Sequence, residues 1–570
     1  MHFIPEVKSS KSCEKFEIKG CTFEFCKDID ERVVNLSKKV PNGETKVLVT
    51  VSNTGKSEYK MSLSSNLVEI TATTQESAFN SIQTLRQIIK NGYCDVCEIT
   101  DFPDFEARGF YYDITRGRVQ TLDTLKKLVD DMAYYKLNML QLYVEHTFPF
   151  KEYDGIYQKM GYMTPEETVE LDKYCKENYV ELVPSLSCFG HLYELLQNTK
   201  YKYLCELENY EPQAIYWAER MAHHTVDVSN PESIEIIKSL IDQYSPFFTS
   251  NKFNICCDET FDLGNGKNSG KDKGRLYVDF AKQVIAHVKS KGKTVMMWGD
   301  VITRHPELIS EFDDDVIFMS WGYSPNEAPD MVYKFRDAKR TQYVCPGVSN
   351  WTSLIEMPHS SVPNITKMVQ YGYESGATGV LNTCWGDYGQ ISPIYACMYG
   401  MIFGAAKSWN ATSDYIGFDE AIDMFYYGYK GGAEIVKKIA LAHKNCYWYN
   451  LLVKYSNEKF GNERMKLWRD STPEEYNEAF AEIEELISRL NATTWENERA
   501  RKALLVVAEG VKIMIAMLVS RTTGEQLGIN FNDAEEWLEK YKQIYLEESK
   551  MGELNEFISV FFELAQKYLK

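Results

Sequence analysis

Two adjacent carboxylates, Asp258 and Glu259, follow the apolar run FNICC and precede the glycine-rich stretch LGNGKN. An apolar run bounded by glycine predicts a buried strand, and a strand buried on both faces is typical of a parallel sheet. Burying two acids without a chemical role is costly. Their position therefore predicts acid–base chemistry at that end of the sheet.

The elements that must position this pair form a regular alternation of strands and helices. A (β/α)8 barrel of the α/β class explains why there are eight strand-like runs, whereas a doubly wound open sheet does not, and no G-x-G-x-x-G follows the first strand. Helix-like segments such as TLDTLKKLVDDMAYYK and TPEETVELDKYCKENY lie between most of the strands. The eight runs are RGFYYDIT, NMLQLYVEH, VELVPSLS, FNICCDE, TVMMWGD, VIFMSWG, QYVCPGVSN and GVLNTCWGD.

Different patterns flank the barrel on both sides. Residues 1–100 contain the alternating runs KVLVTVSN, EYKMSLSS and LVEITATT and an amphipathic helix that we expect to end at Gly92. After residue 405 the strand patterns stop, and long amphipathic helices follow. We therefore expect a small α/β domain at 1–100, a TIM barrel at 101–405 and an α-helical region at 406–570.

Polar and aromatic residues recur where the predicted barrel strands end, which is where active sites of this fold gather. Any single tryptophan is best explained as a core residue, but several at the same end indicate an aromatic wall. Such a wall with a few charged groups suits a sugar, whose ring faces stack while its hydroxyls bind charged partners. The candidate residues beside the acid pair are Arg108, Asp113, Arg116, Glu145, His146, His191, Trp298, Trp321, Tyr343, Trp351, Trp385 and Asp387.

Adjacent acids do not fit the usual glycosidase arrangement, in which two carboxyls about 5 to 9 Å apart flank the scissile bond. One solution is that a 2-acetamido group of the substrate supplies the nucleophile. Glu259 then protonates the leaving oxygen, and Asp258 orients the acetamido N–H and stabilises the charge that develops on it.

The pieces EARGFYYDITRGR, AYYKLNMLQLYVEH, SLSCFGH, CCDET, MMWGD and TCWGDYG, in this order, resemble glycoside hydrolase family 20, the β-N-acetylhexosaminidases. In that family a small α/β domain precedes the barrel. The resemblance implies Glu259 as general acid and then base, Asp258 as orienter of the acetamido group, and neither metal nor organic cofactor.

The resemblance also implies how the sugar is bound. It assigns the 3- and 4-hydroxyls to Arg108, the outer hydroxyls to Asp387, where the family more often has Glu, and the ring platform to Trp385. Trp298 and Trp321 surround the acetamido methyl, with Trp351 also at the pocket. Tyr343 is the candidate donor to the acetamido oxygen, and His191 is expected to tune the acid through Glu145.

Two other readings remain open. An endo-acting, chitinase-like hydrolase shares the barrel and the substrate-assisted logic, but it calls for a D-x-x-D-x-D-x-E run where this chain has NICCDE. A sugar-binding barrel without catalysis could use the same tryptophans and arginine. Both intact acids favour an exo-acting enzyme that removes terminal β-linked GlcNAc or GalNAc from an oligosaccharide or glycoconjugate.

Bulk properties narrow the partners. With 82 acidic and 63 basic residues the formal net charge is -19, which argues against nucleic acid. The start lacks the pattern of a secretion signal, and the apolar segment ALLVVAEGVKIMIAML is interrupted by Glu509 and Lys512. We expect a cytoplasmic protein that does not span a membrane, and a homodimer is possible by analogy with the family.

Overall fold

The computed structural model describes residues 2–222, 224–444, 448–467 and 471–569. An N-terminal sheet comes first, with strand order β1-β6-β4-β5-β3-β2. Helix α2 covers it, starts at a capping box on Thr74 and ends at Gly92, whose φ of 82° is left-handed as predicted. The strands and helices are β1 Ser9–Phe16, β2 Cys21–Phe25, α1 Glu31–Ser37, β3 Thr45–Val51, β4 Tyr59–Leu63, β5 Leu67–Ala72, α2 Gln75–Asn91 and β6 Cys94–Asp101.

The next eight strands are parallel and close into a barrel, which confirms the (β/α)8 prediction. Each strand starts at one end of the barrel and finishes at the other, so the residues after each strand share one face. The strands are β7 Ala107–Asp113, β8 Met139–Val144, β9 Glu181–Leu186, β10 Lys252–Asn254, β11 Thr294–Trp298, β12 Ile317–Trp321, β13 Gln342–Cys345 and β14 Gly379–Cys384.

Amphipathic helices surround the barrel because one face of each is apolar. Capping residues set their starts, as at Thr164, whose hydroxyl accepts from Glu167 N ahead of a proline at the first helical position. The helices are α3 Leu122–Tyr134, α4 Tyr157–Met160, α5 Pro165–Glu177, α6 Tyr193–Gln197, α7 Tyr216–Arg220, α8 Pro231–Tyr244, α9 Lys273–Ser290, α10 Asp330–Asp337, α11 Pro358–Glu374 and α12 Met398–Trp409.

The remaining described part of the chain consists of helices and their connections, as expected. Helix α17 is long and apolar enough to cross a membrane, with a mean hydropathy of 2.1, but 78% of its most apolar window is buried inside the protein, as in a core helix. It packs against the helices on either side. This region contains α13 Phe418–Ile422, α14 Gly432–His443, α15 Trp448–Phe460, α16 Pro473–Ala492, α17 Glu498–Thr523, α18 Phe531–Glu548 and α19 Leu554–Tyr568.

The hydrophobic core has three parts. The N-terminal sheet and its helices enclose one cluster, which Ala133 of α3 and Trp409 of α12 also join. A second fills the inside of the barrel with aromatic and sulfur-containing side chains, among them Tyr111, Met296 and Met319. The third runs continuously from the barrel helices into the C-terminal helices. The C-terminal region is therefore packed as part of the barrel's outer layer.

Candidate active site

The acid pair lies just beyond a very short strand. We predicted a strand through Glu259, but β10 ends at Asn254, and Cys256, Cys257 and Glu259 adopt left-handed backbone conformations with φ of 57°, 65° and 46°. Neighbours on a regular strand point to opposite faces. The left-handed turns rotate the chain after β10, so that both Asp258 and Glu259 line the same pocket.

Burial weakens the acidity of both carboxyls, and neighbouring negative charge weakens that of Glu259 further. Burial raises the pKa of Glu259 to about 8, and the negative charges of Asp258, Asp300 and Asp387 add to the effect. Burial raises the pKa of Asp258 to about 6. Near neutral pH the site therefore favours a protonated Glu259 beside an ionised Asp258.

Asp300 was missed in the sequence, although it ends the quoted motif MMWGD. Its side chain is 5% exposed and its Oδ2 accepts from the backbone N–H of Glu259 at 3.1 Å. Burial and the charge of Asp258 raise its pKa to about 7. Asp300 thus holds the backbone of Glu259 and adds negative charge behind it.

His191 bridges the acid pair and an arginine. Its Nδ1 lies 3.1 Å from Arg116 Nη2, and its Nε2 lies 3.2 Å from Asp258 Oδ2 and 3.6 Å from Glu259 Oε2. A guanidinium only donates, so Nδ1 accepts and Nε2–H donates to Asp258. Burial and then Arg116 lower the pKa of His191 well below its usual range, which keeps the ring neutral. Gly190 permits this approach, since a Cβ there would lie 2.9 Å from Asp258 O.

Ligand atoms of His191, Asp258 and Glu259 lie within 4.8 Å of one another, and these types could hold a metal ion. The guanidinium of Arg116 beside His191 opposes a second cation at this place. The geometry fits a hydrogen-bonded acid pair without requiring a metal.

The arginine of the pocket is Arg116, which corrects the prediction for Arg108. Arg108 is the second residue of β7 and lies at the opposite end of the barrel, where its Nη2 pairs with Glu76 at 2.9 Å and its other nitrogens donate to backbone carbonyls. Arg116 follows β7 at the pocket end and is 3% exposed, with Nη1 2.9 Å from Asp387 Oδ1. Both arginines flank the same strand, and only its direction distinguishes them.

Aromatic side chains form the pocket wall as predicted, with one correction. Tyr343 is near the start of β13, where it packs against Gly379 at the beginning of β14, so it lies at the far end of the barrel. The pocket tyrosine is Tyr323, which follows β12 and whose OH accepts from Trp385 Nε1 at 2.8 Å. That leaves the hydroxyl proton of Tyr323 free to donate.

Glu145 lies beneath the pocket and does not line it. Its Oε1 accepts from Tyr143 OH at 2.7 Å and lies 3.4 Å from Arg116 Nε. We expected Glu145 to pair with His191, but these contacts place it under the guanidinium. It supports Arg116, and burial raises its own pKa to about 7.

The pocket has a volume of about 250 Å³, slightly below the range of roughly 300–1,000 Å³ typical of drug-sized ligands. It fits one substituted sugar ring better than a chain of them. Larger cavities of 510 and 780 Å³ border the N-terminal sheet, one of them beside Arg108, but neither contains the acid pair. The lining residues are Arg116, His191, Met221, Asp258, Glu259, Trp298, Trp321, Tyr323, Trp351, Trp385, Asp387 and Tyr388.

The glycine-rich stretch after the acids has a structural role. Backbone N–H groups of Gly264, Gly266 and Asn268 donate to Glu206 Oε1 at 3.1, 3.3 and 3.0 Å. A Cβ on Gly266 would lie 2.0 Å from Glu206 O. The glycines therefore let this loop wrap a buried carboxylate and anchor the chain that leaves the active site.

In addition to Asp300, sequence reasoning missed three residues that line the pocket. Tyr323, Tyr388 and Met221 carried weak signals: the first lies two residues after a predicted strand-end tryptophan, and the second directly follows Asp387. Met221 follows helix α7, in a long connection after β9 whose path no short-range pattern specified.

Residues 105–335 match the family described as "Glycosyl hydrolase family 20, catalytic domain". The chain is 21% identical over 307 residues to a lacto-N-biosidase of Bifidobacterium bifidum, covering 51% of this chain and 26% of that protein. It is 25% identical over 234 residues to a β-hexosaminidase of Porphyromonas gingivalis, covering 36% of this chain and 29% of that protein. The chain thus matches less than a third of the length of either curated relative.

The fold is similar to that of a chitobiase from Flavobacterium johnsoniae, with a TM-score of 0.62 and 16% identity. The superposition covers 96% of this chain and 99% of the other. The likeness therefore includes the N-terminal sheet and the C-terminal helices as well as the barrel.

Proposed function

Because residues 105–335 match the catalytic domain of glycosyl hydrolase family 20, we propose that this chain is an exo-acting, retaining β-N-acetylhexosaminidase. Its substrate is a glycan that ends in β-linked GlcNAc or GalNAc. A relative named β-hexosaminidase and a fold neighbour named chitobiase support this substrate class.

The acid pair carries the proposal. The pocket lining contains three carboxylates, Asp258, Glu259 and Asp387, and the last is held by Arg116 at 2.9 Å. A protein nucleophile on the opposite face of the sugar is therefore not available from the described lining. A nucleophile supplied by the substrate's acetamido group meets that need.

In the first step the acetamido oxygen attacks the anomeric carbon while the bond to the leaving oxygen breaks. Glu259 gives its proton to the leaving oxygen, and its raised pKa keeps that proton available near neutrality. Asp258 accepts a hydrogen bond from the acetamido N–H and stabilises the positive charge of the resulting oxazolinium ring. The Nε2–H of His191 holds the Asp258 carboxylate in place.

In the second step Glu259, now a carboxylate, takes a proton from water, and the water oxygen attacks the anomeric carbon. The ring of the intermediate opens and the acetamido group is restored. Two inversions at the same carbon leave the β configuration unchanged, so the product is the β-anomer.

The remaining groups bind the sugar. Arg116 and Asp387 form an ion pair that offers both a donor and an acceptor to the outer hydroxyls. Trp385 supplies a platform for the ring, and the aromatic wall with Trp298 and Trp321 encloses the acetamido methyl. The hydroxyl of Tyr323 is placed to donate to the acetamido oxygen and align it for attack.

The deciding experiment compares release of nitrophenol from the aryl N-acetyl-β-glucosaminide, the aryl N-acetyl-β-galactosaminide and the aryl β-glucoside. We expect cleavage of the acetamido substrates and not of the glucoside. Cleavage of all three would indicate a protein nucleophile and contradict the mechanism. Cleavage of none, with oligomers released from a longer chitin oligosaccharide, would favour the endo-acting reading.

A further inference from the structure

Three loops of the pocket converge on one short segment of the helical C-terminal region. This segment, residues 545–553, spans the last turn of α18 and the connection to α19, and we call it the interhelical turn. The three loops follow β7, β9 and β14 and carry Arg116, Met221 and Asp387, respectively. The contacts between them and the interhelical turn are buried and involve both backbone groups and side chains.

The loop after β7 is bound most extensively. The carbonyl of Gly117, next to Arg116, accepts from Tyr545 OH at 2.6 Å and from the Glu553 N–H at 2.9 Å. The carbonyl of Val119 accepts from the Lys550 N–H at 2.8 Å. Further along, Thr121 N donates to Glu548 O at 3.0 Å. The backbone of this loop is therefore hydrogen-bonded to the C-terminal region, much as a strand is to its neighbour in a sheet.

A buried arginine reinforces this attachment. Arg118 is 0% exposed, and its guanidinium lies 4.1 Å from the ring centroid of Tyr545 and 3.4 Å from Glu548. Its Nε donates to the carbonyl of Gln390 at 3.0 Å, in the loop after β14. One side chain therefore links the loops of Arg116 and Asp387 to the interhelical turn.

The other two loops meet the same segment through Glu553. Its buried carboxylate accepts from Trp217 Nε1 at 2.6 Å and pairs with Arg220, next to Met221. The ring of Trp217 in turn packs against Gly389, where a Cβ would lie 2.9 Å away. Gly117 also faces Gly389. A Cβ on Gly117 would lie only 2.4 Å from the carbonyl oxygen of Gly389.

We propose that the interhelical turn is a positioning element that fixes the spacing between Arg116 and Asp387 and so sets recognition of the outer hydroxyls of the sugar. The proposal rests on the proposed function for its substrate, but its structural part does not. Binding groups on separate loops lose affinity when their spacing fluctuates, because ordering them then costs entropy at each binding event. The acid pair lies on other loops and stays in place.

Tyr545→Phe tests this with little risk to folding, since it removes only the hydroxyl that binds Gly117 O. Tyr455→Phe is the matched control, because that hydroxyl binds Glu563 on the surface of the same region. We expect Tyr545→Phe to raise KM for the aryl N-acetyl-β-glucosaminide five- to tenfold with less than a twofold change in kcat. Its preference between the gluco- and galacto-configured substrates should also shrink, whereas the control keeps wild-type values.

Hydrogen exchange provides a readout that needs no substrate. Peptides covering residues 115–121 should exchange faster in Tyr545→Phe and in Glu553→Gln than in the wild type, while peptides covering 254–260 stay unchanged. Inactivity of the wild type on every substrate would reject the proposed function and leave this readout decisive. Unchanged exchange at 115–121 would overturn the positioning role. So would faster exchange with unaltered KM and substrate preference, or a fall in kcat as large as the rise in KM together with a lower Tm.

Discussion

At the scale of single residues, the chemistry depends on keeping two neighbouring carboxyls in different protonation states. Asp258 receives a hydrogen bond from the neutral His191, which favours its ionised form. Glu259 lies among the negative charges of Asp258, Asp300 and Asp387, which favour its protonated form. The two acids therefore divide the roles that one sequence motif left undivided.

The pH dependence follows from these two groups. Activity requires Asp258 ionised, so it falls as pH drops through about 6, and it requires Glu259 protonated, so it falls as pH rises through about 8. We expect a bell-shaped profile of kcat/KM with a maximum near neutrality. A steady increase up to pH 10 would contradict the acid role of Glu259.

Asp300→Asn should move the alkaline limb of this profile. Its negative charge helps to raise the pKa of Glu259, and the asparagine oxygen can still accept from Glu259 N, so the pKa of Glu259 should fall. The alkaline limb then shifts to lower pH. Asp337→Asn, an exposed change on α10, serves as the control. An alkaline limb that stays in place would remove Asp300 from the argument.

Tyr323→Phe should lower kcat for acetamido substrates roughly 10²-fold, the usual cost of losing one donor to a developing charge. Tyr343→Phe, at the other end of the barrel, should leave kcat and KM unchanged. Steady-state kinetics on both variants separate the two tyrosines. The reverse pattern would restore the assignment made from sequence.

The residue-level errors have a common physical cause. Arg108 and Tyr343 are each the second residue of a barrel strand, whereas Arg116 and Tyr323 follow strand ends, and active sites of this fold lie at the carboxyl ends of the strands. The tryptophans were placed correctly because Trp298, Trp321 and Trp385 each end a strand or directly follow it. Asp258 and Glu259 also line the pocket, although β10 ends at Asn254 and only the left-handed turns after it bring them there.

At the scale of elements, strands and helices were easier to predict than the turns between them. The eight barrel strands are almost entirely buried, mostly apolar runs, and many of the helices start at capping residues, so both carry strong local signals. The first strand, Ser9–Phe16, was missed because it lies at a sheet edge with a mostly exposed side-chain pattern. The shortness of β10 was missed because the residues after it remain apolar while their backbone leaves the strand.

The two ends of β7 should respond differently to mutation. Glu76→Gln replaces the only carboxylate that pairs with Arg108 among the described residues. It should lower the free energy of unfolding by roughly 1.5–3 kcal/mol and leave KM unchanged. Arg116→Met should instead raise KM strongly. Denaturant unfolding and steady-state kinetics together check this contrast, and a large KM effect from Glu76→Gln would contradict it.

At the scale of the whole molecule, the barrel and the C-terminal helices share one hydrophobic cluster, while the N-terminal sheet forms a second that only Ala133 and Trp409 of the barrel helices join. The boundary that sequence patterning suggested at residue 405 therefore marks a change of secondary structure. It does not divide two independent hydrophobic cores. A shift in composition along the chain indicates which type of secondary structure follows. It does not indicate which helices bury their apolar faces against one another in the folded protein.

A chain that stops after Trp409 should therefore fail to fold. It would leave the apolar outer faces of several barrel helices uncovered and the loop of Arg116 without its hydrogen bonds. We expect insoluble expression, and no product binding by any soluble fraction. A soluble, cooperatively unfolding fragment that binds N-acetylglucosamine would contradict this prediction.

The left-handed backbone at Cys256, Cys257 and Glu259 bears on attempts to engineer a more heat-resistant form. Such conformations cost an L-residue about 1–3 kcal/mol each, and glycine would adopt them freely. Glycine at 257 would relieve this strain, but it would also remove a buried thiol and loosen the turn that places both acids. Heat resistance selected at this turn would therefore come at the expense of turnover.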